Sequence, residues 1–253
     1  MLTIDLNCDM GESFGSYKIG NDELIMDYIS SVNIACGYHA GDPAIMRETV
    51  QLAKAKAVAI GAHPGFPDLQ GFGRRNMNLS YQDVYDIMVY QIGALLGFVQ
   101  AAGAQLNHVK PHGALYNMAA KQPLLAKAIA QAVFDVDKSL VLFGLSGSHS
   151  ILEAEHLGLK TASEVFADRT YQDDGSLTPR TEPNSMIHDA DQCIQHVLQM
   201  VKEGTVTTVT KKNIPIKADT ICIHGDGEHG LSFAQLLCQQ LKENQIQLKP
   251  ITS

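Results

Sequence analysis

The feature that most constrains this chain is a repeated switch from apolar to ionisable residues at the ends of strand-length runs. It occurs at Asn7-Cys8-Asp9, over 33–39, at Gly61-Ala62-His63, over 108–112, over 164–169 and at His224-Gly225-Asp226, and a glycine-rich turn, Gly144-Leu145-Ser146-Gly147-Ser148, ends a further run. Side chains alternate faces along a strand, so Asp5, Asn7 and Asp9 oppose Leu6 and Cys8, while Cys222, His224 and Asp226 oppose Ile221 and Ile223. His108, Lys110 and His112 share one face, and Val109 and Pro111 the other. In a parallel strand covered by helices on its outer face, the polar parity must look inward, where a charge is costly unless it meets another charge or a ligand. A helix cap or a satisfied core histidine explains any one position. For the whole set, at equivalent points, that is a poor account, and the recurrence suggests a barrel with a polar mouth.

Apolar runs at 3–8, 31–36, 58–62, 106–110, 139–145, 160–166 and 220–224 read as strands, and helix-period stretches separate most of them. Strand followed by helix, repeated, means a parallel sheet. The expected fold is a TIM-barrel-like (β/α) barrel, either of seven strands or with the short segment 246–248 as an irregular eighth, in one domain over 1–253. Helices are expected at 43–57, opened by Pro43 after Asp42, and at 80–102, opened by Ser80 with Asp83 in the capping-box position. Others fall near 22–30, 122–133, 148–157, 188–203 and 230–244. The loop 169–184 and a hairpin over 206–216, turning at Lys211-Lys212-Asn213, interrupt the alternation. Parallel barrels place chemistry at the carboxyl ends of their strands, where these clusters lie.

With 253 residues and 45% hydrophobic content the chain can bury a full core. Its net charge of -8, without a lysine or arginine run, argues against nucleic acid or anionic membrane as a partner. Asp5 and Asp9 interrupt the first apolar stretch, so no signal peptide is expected, nor a run of membrane-spanning length, and the expected location is cytoplasmic. Five cysteines without a C-x-x-C pair suggest reduced, buried small hydrophobes rather than disulfides.

Several familiar patterns carry less than they promise. Gly225 to Gly230 spells the dinucleotide fingerprint, but only 23 residues follow Gly230, too few for the rest of such a fold. What survives is an anion-binding helix start, and the turn 144–148 offers a second. Gly11-Glu12-Ser13-Phe14-Gly15 matches the nucleophile-elbow spelling, yet the turn runs on through Gly20 before a helix begins. No G-x-x-x-x-G-K occurs, so the chain has no phosphate loop of that type for ATP. On a strand, His108 and His112 start roughly 13 Å apart and cannot share an ion. A divalent metal held from different strands by Asp9, His39, His63 and His112, or a metal-free acid–base site, both fit the residues present. Arg74 and Arg75 sit in a loop just after Gly71 and Gly73, and Arg169 and Arg180 in the 169–184 loop; a guanidinium fork there matches carboxylate or phosphate.

The stretches Asp5-Leu6-Asn7-Cys8-Asp9-Met10-Gly11-Glu12, Asn33-Ile34-Ala35-Cys36-Gly37-Tyr38-His39-Ala40-Gly41-Asp42-Pro43 and Gly61-Ala62-His63-Pro64-Gly65 closely resemble the LamB/YcsF family. So do Phe72-Gly73-Arg74-Arg75, the run from Val109-Lys110-Pro111-His112 to Asn117, Glu164-Val165-Phe166-Ala167-Asp168-Arg169 with Tyr171, and His224-Gly225-Asp226. The resemblance covers about 5–230 and implies a (β/α) barrel related to metal-dependent sugar deacetylases. It also implies hydrolytic opening of the lactam 5-oxo-L-proline to L-glutamate, coupled to ATP hydrolysis with partner subunits B and C. On that reading Asp9 or His63 activates water, Lys110 and His112 protonate the leaving group or stabilise an oxyanion, and Arg74, Arg169 and Arg180 bind carboxylate or phosphate. Asn7, Glu12, Asn33, His39, Asp42, Glu164, Asp168, His224 and Asp226 complete the site. The competing readings are a stand-alone metal-dependent amide or sugar deacetylase and a non-catalytic subunit that binds an anionic metabolite.

Overall fold

A computed structural model of the chain describes residues 2–223 and 230–252. Seven parallel strands close on themselves: β1 (Leu2–Met10), β2 (Ser31–Ala35), β3 (Ala59–His63), β4 (Leu106–Val109), β5 (Val141–Leu145), β6 (Lys160–Phe166) and β9 (Thr220–Ile223), with β9 paired to both β6 and β1. The eighth segment, β10 (Ile246–Leu248), exists but stands outside the ring. It pairs with Leu2 to Ile4 at the start of β1, while β9 takes Asp5 to Cys8, so one long strand serves two neighbours at different heights. The expected hairpin is β7 (Thr205–Thr207) against β8 (Asn213–Pro215), antiparallel, with Lys211 at φ 67 in its turn.

The outer parity of the strands packs under the helices: Leu6, Cys8, Val32, Ile34, Ile60, Ala62 and Val109 are buried there. Two helices start as their sequences dictate. Asp42 caps α2 (Pro43–Ala55) by accepting from the Ala44 and Ile45 amides, and Ser80 and Asp83 close a capping box on α3 (Tyr81–Ala101). Of the described helices α3 alone is long and apolar enough to cross a membrane, against expectation, with a mean hydropathy of 1.3. Its stripe of Val84, Met88, Ile92, Leu95 and Val99 is buried, and it packs beside α2 and α5 (Pro123–Val136), as an outer helix of a barrel does.

Other boundaries moved for identifiable reasons. The helix expected at 22–30 is only α1 (Asp22–Ile25), because Ser30 is held by Asp5 and the Leu6 amide at the entry to β2. A helix not expected, α4 (Gly113–Lys121), precedes α5, and Pro123 at the N-terminus of α5 separates the two. The remaining helices are α6 (His149–His156), α7 (Ala190–Leu198), extended by a π turn at Gln199–Glu203, and α8 (Gly230–Glu243). The loop after β6 is pinned by bridges from Arg169 to Met186 and from Tyr171 to Leu177. The bottom of the barrel is apolar: Val141, Phe143 and Ala162 pack together with Ile251. Above that plug the interior is polar.

Candidate active site

Lys110 organises the interior. Just beyond β4, its ammonium donates to Asn7 Oδ1 at 3.1 Å, Asp9 Oδ1 at 2.9 Å and Cys222 Sγ at 3.1 Å, and lies 2.8 Å from Glu164 Oε1. Asn33 donates to Asn7 Oδ1 and Asp9 Oδ1, and Asn7 donates to Glu164 Oε1 and Thr220 Oγ1. Burial pushes the Lys110 pKa down, but the carboxylates of Asp9 and Glu164, with Cys222, hold it well above the usual value. Burial likewise pushes Asp9 up, and His63 and Lys110 more than offset it, so its carboxyl stays well below the usual range. Below this layer, burial pushes Asp5 up against the hydroxyls of Ser30, Ser31 and Thr220. His108 donates through Nε2 to Asn33 Oδ1 at 2.8 Å and stacks on Phe143; burial and Lys110 lower its pKa to about 3. It is a structural member of the barrel interior.

Three more imidazoles gather beside Asp9. His63 Nδ1 lies 2.8 Å from the Lys110 carbonyl and its Nε2 lies 3.2 Å from Asp9 Oδ2 and 2.9 Å from His112 Nδ1. His112 Nε2 lies 2.8 Å from the Phe72 carbonyl, and His39 stacks flat on His112, centroids 3.7 Å apart. Glu12 Oε1 meets His39 Nε2 at 3.2 Å and His112 Nδ1 at 3.5 Å. Burial, then the neighbouring imidazoles, lowers the pKa of His39 far below its usual value and that of His112 to about 3, so both rings are neutral near pH 7. Glu12, His39, His63 and His112 have potential ligand atoms within 4.8 Å of one another, a set able to hold a metal ion. Glycines clear the space for these rings. A Cβ on Gly65 would stand 2.7 Å from His39 Nδ1, and one on Gly73, whose φ is +63, 2.8 Å from both His112 and His39. In the 71–75 loop Gly73 thus admits the imidazoles, while Gly71 leaves room for the Asp68–Arg75 pair.

Above lies a cavity of about 690 Å³ walled by Asp9, Glu12, His63, Lys110, His112 and Arg74, with Arg180 and Lys121 nearer its mouth. Two residues outside the expected set line it or touch its floor. Cys222 contacts Lys110, as its parity with the polar face allowed; Tyr116 follows the unexpected start of α4 and left no sequence signal. Tyr116 Oη and Glu164 Oε2 are both buried, and burial and the Glu164 carboxyl raise the pKa of the Tyr116 hydroxyl.

Not every expected member converges. Asp42 is spent on the α2 cap and on the Gly15 amide. Arg169 lines the cavity, but its Nε and Nη2 donate to the Ser185 and Thr178 carbonyls, so much of its fork holds the 169–186 loop. Asp168 is half-buried at that loop's start, and Arg75 pairs with Asp68 at the surface. His224 and Asp226 lie outside the described residues.

Fold and site define a (β/α)-barrel protein with a buried acid–base centre at the carboxyl ends of its strands. The chain belongs to the LamB/YcsF family, whose model matches residues 4–253. It is similar to the A subunit of 5-oxoprolinase from Brevibacillus brevis, 61% identical over 241 residues and 95% of each chain. It is also similar to the corresponding 5-oxoprolinase protein of Bacillus subtilis, 57% identical over 100% of this chain and 98% of the relative. Among solved structures, a lactam utilization protein from Thermus thermophilus superposes with a TM-score of 0.93 at 43% identity, covering 99% of this chain and 100% of that one.

Proposed function

We propose that this chain is the ring-opening component of an ATP-dependent 5-oxoprolinase, which converts 5-oxo-L-proline, ATP and water to L-glutamate, ADP and phosphate. Similarity along essentially the whole chain to proteins named as the A component of 5-oxoprolinase carries the reading. The partners are subunits B and C, and the complex works in the cytoplasm. A five-membered lactam is resonance-stabilised and little strained, so water does not open it readily. Phosphorylation of its oxygen by ATP gives an imidate whose carbon accepts water; the C–N bond then breaks with a proton delivered to nitrogen, and a second water releases phosphate. A chain without a G-x-x-x-x-G-K loop suits the later steps, leaving ATP to the partners.

Asp9, held ionised, and His63, 3.2 Å from it, activate the water. Lys110 is met by four acceptors, so it helps hold Asp9 ionised instead of moving a proton. His112 stands beside His63 on the cavity wall. Tyr116 brings a buried hydroxyl to the cavity wall. Arg74 and Arg180 attract the carboxylate or phosphate at the mouth. Glutamate release from 5-oxo-L-proline and ATP is measured with this chain alone, then with both partners. Turnover only in the full mixture supports the proposal, and ATP-independent, chelator-sensitive hydrolysis by the single chain contradicts it.

A further inference from the structure

The hydrogen bonds of His63 and His112 fix where their lone pairs point. A backbone carbonyl can only accept, so His63 Nδ1, 2.8 Å from the Lys110 carbonyl, carries a proton, and so does His112 Nε2, 2.8 Å from the Phe72 carbonyl. The nitrogens that then face each other, 2.9 Å apart, are His63 Nε2 and His112 Nδ1. Asp9 Oδ2 lies 3.2 Å from the first and Glu12 Oε1 3.5 Å from the second. Four electron-rich atoms that converge in this way repel unless something positive sits among them. Lys110 contacts the other oxygen of Asp9, Oδ1.

The geometry points to a divalent transition-metal ion held by Glu12, His63 and His112, with Asp9 within reach as a fourth ligand. Two donors each about 2.1 Å from one ion stand about 3.0 Å apart at a right angle and about 3.4 Å apart at the tetrahedral angle. The separations of 2.9, 3.2 and 3.5 Å span that interval. The carbonyl partners of the two imidazoles are of the kind that orient metal-bound histidines. All four residues line the cavity, so a water or substrate oxygen could complete the coordination and be polarised there.

His39 belongs to the same cluster but cannot be a ligand together with His112. The two rings are parallel to within 4° and 3.7 Å apart, and lone pairs in parallel planes do not meet at one ion. His39 is a positioning residue: its Nε2 reaches Glu12 Oε1 at 3.2 Å and holds that carboxylate toward the imidazoles. Metal binding by these residues does not depend on which amide the cavity opens.

The test is calorimetric titration of chelator-stripped full-length protein with zinc, with thermal unfolding and metal analysis alongside. The expected result is one equivalent bound and a higher melting temperature in the wild type. His63→Gln, and independently Glu12→Gln, should weaken binding at least 100-fold with circular dichroism unchanged. His39→Gln should keep one equivalent at an affinity about 10–100-fold weaker, the usual effect of losing an outer partner. Absence of saturable zinc binding by the wild type, or equal binding by His63→Gln and the wild type, would overturn the inference and leave a shared proton between the two rings. Complete loss in His39→Gln would overturn the ligand set.

Discussion

At the scale of single residues, Lys110 is the most consequential side chain because its charge is matched inside the barrel rather than by solvent. Glu164 is 0% exposed and Lys110 2%. Lys110→Met therefore leaves Asp9 and Glu164 buried without their cation, and we expect a loss of about 3–5 kcal/mol in urea unfolding as well as the loss of turnover. Adding Glu164→Gln should recover part of that stability but none of the activity. An unchanged unfolding midpoint for Lys110→Met would show that the ion pair is not formed. Gly61→Ala is a second sharp case. Its Cβ would stand 2.0 Å from His108 Nε2, so His108 must leave Asn33, at an expected cost of about 1–3 kcal/mol. The inward set Asp5, Asn7, Asp9, His108 and Lys110 was legible because strand parity is a local, period-two property. The stacking of His39 on His112, the turning of Arg169 to loop carbonyls and the contact of Tyr116 with the cavity were not. Each depends on neighbours distant in sequence.

At the scale of elements, strands and capped helices declared themselves through alternation and through Asp42, Pro43, Ser80 and Asp83, whereas α1 and α4 did not. Both are short, and what ends or starts them is a contact or a turn: Ser30 with Asp5, and Gly113 at φ +55 beneath the Gly73 carbonyl. The packing of α7 has a measurable pH signature. His196 is 9% exposed, its Nε2 has no partner among the described residues, and burial lowers its pKa from 6.5 to about 4. Here the folded pKa lies below the unfolded one, so between those values the unfolded chain binds more protons. Stability is full above pH 6.5 and falls as pH drops toward 4, by about 3 kcal/mol at most for this group. His108, lowered to about 3, acts in the same direction. Unfolding free energies at pH 7 and pH 5 should therefore differ, and His196→Gln should flatten the difference. A His196→Gln profile as steep as that of the wild type would remove His196 from the account.

At the scale of the molecule, a barrel of seven strands places Asp9, His63, Lys110, His112 and Glu164 on one inner face from four different strands and the loops that follow them. The repeated pattern of strand and helix announced the barrel; closure through β9, and the position of β10 beside the foot of β1, emerge only from long-range pairing. The account stands or falls on whether this face does the hydrolytic step. Its most direct measurement is glutamate release from 5-oxo-L-proline and ATP by the three-component complex built with either wild-type chain or Asp9→Asn. We predict that Asp9→Asn assembles normally but lowers the rate about 10²–10⁴-fold, the range expected for loss of a general base. A fully assembled Asp9→Asn complex that releases glutamate at the wild-type rate would contradict the account.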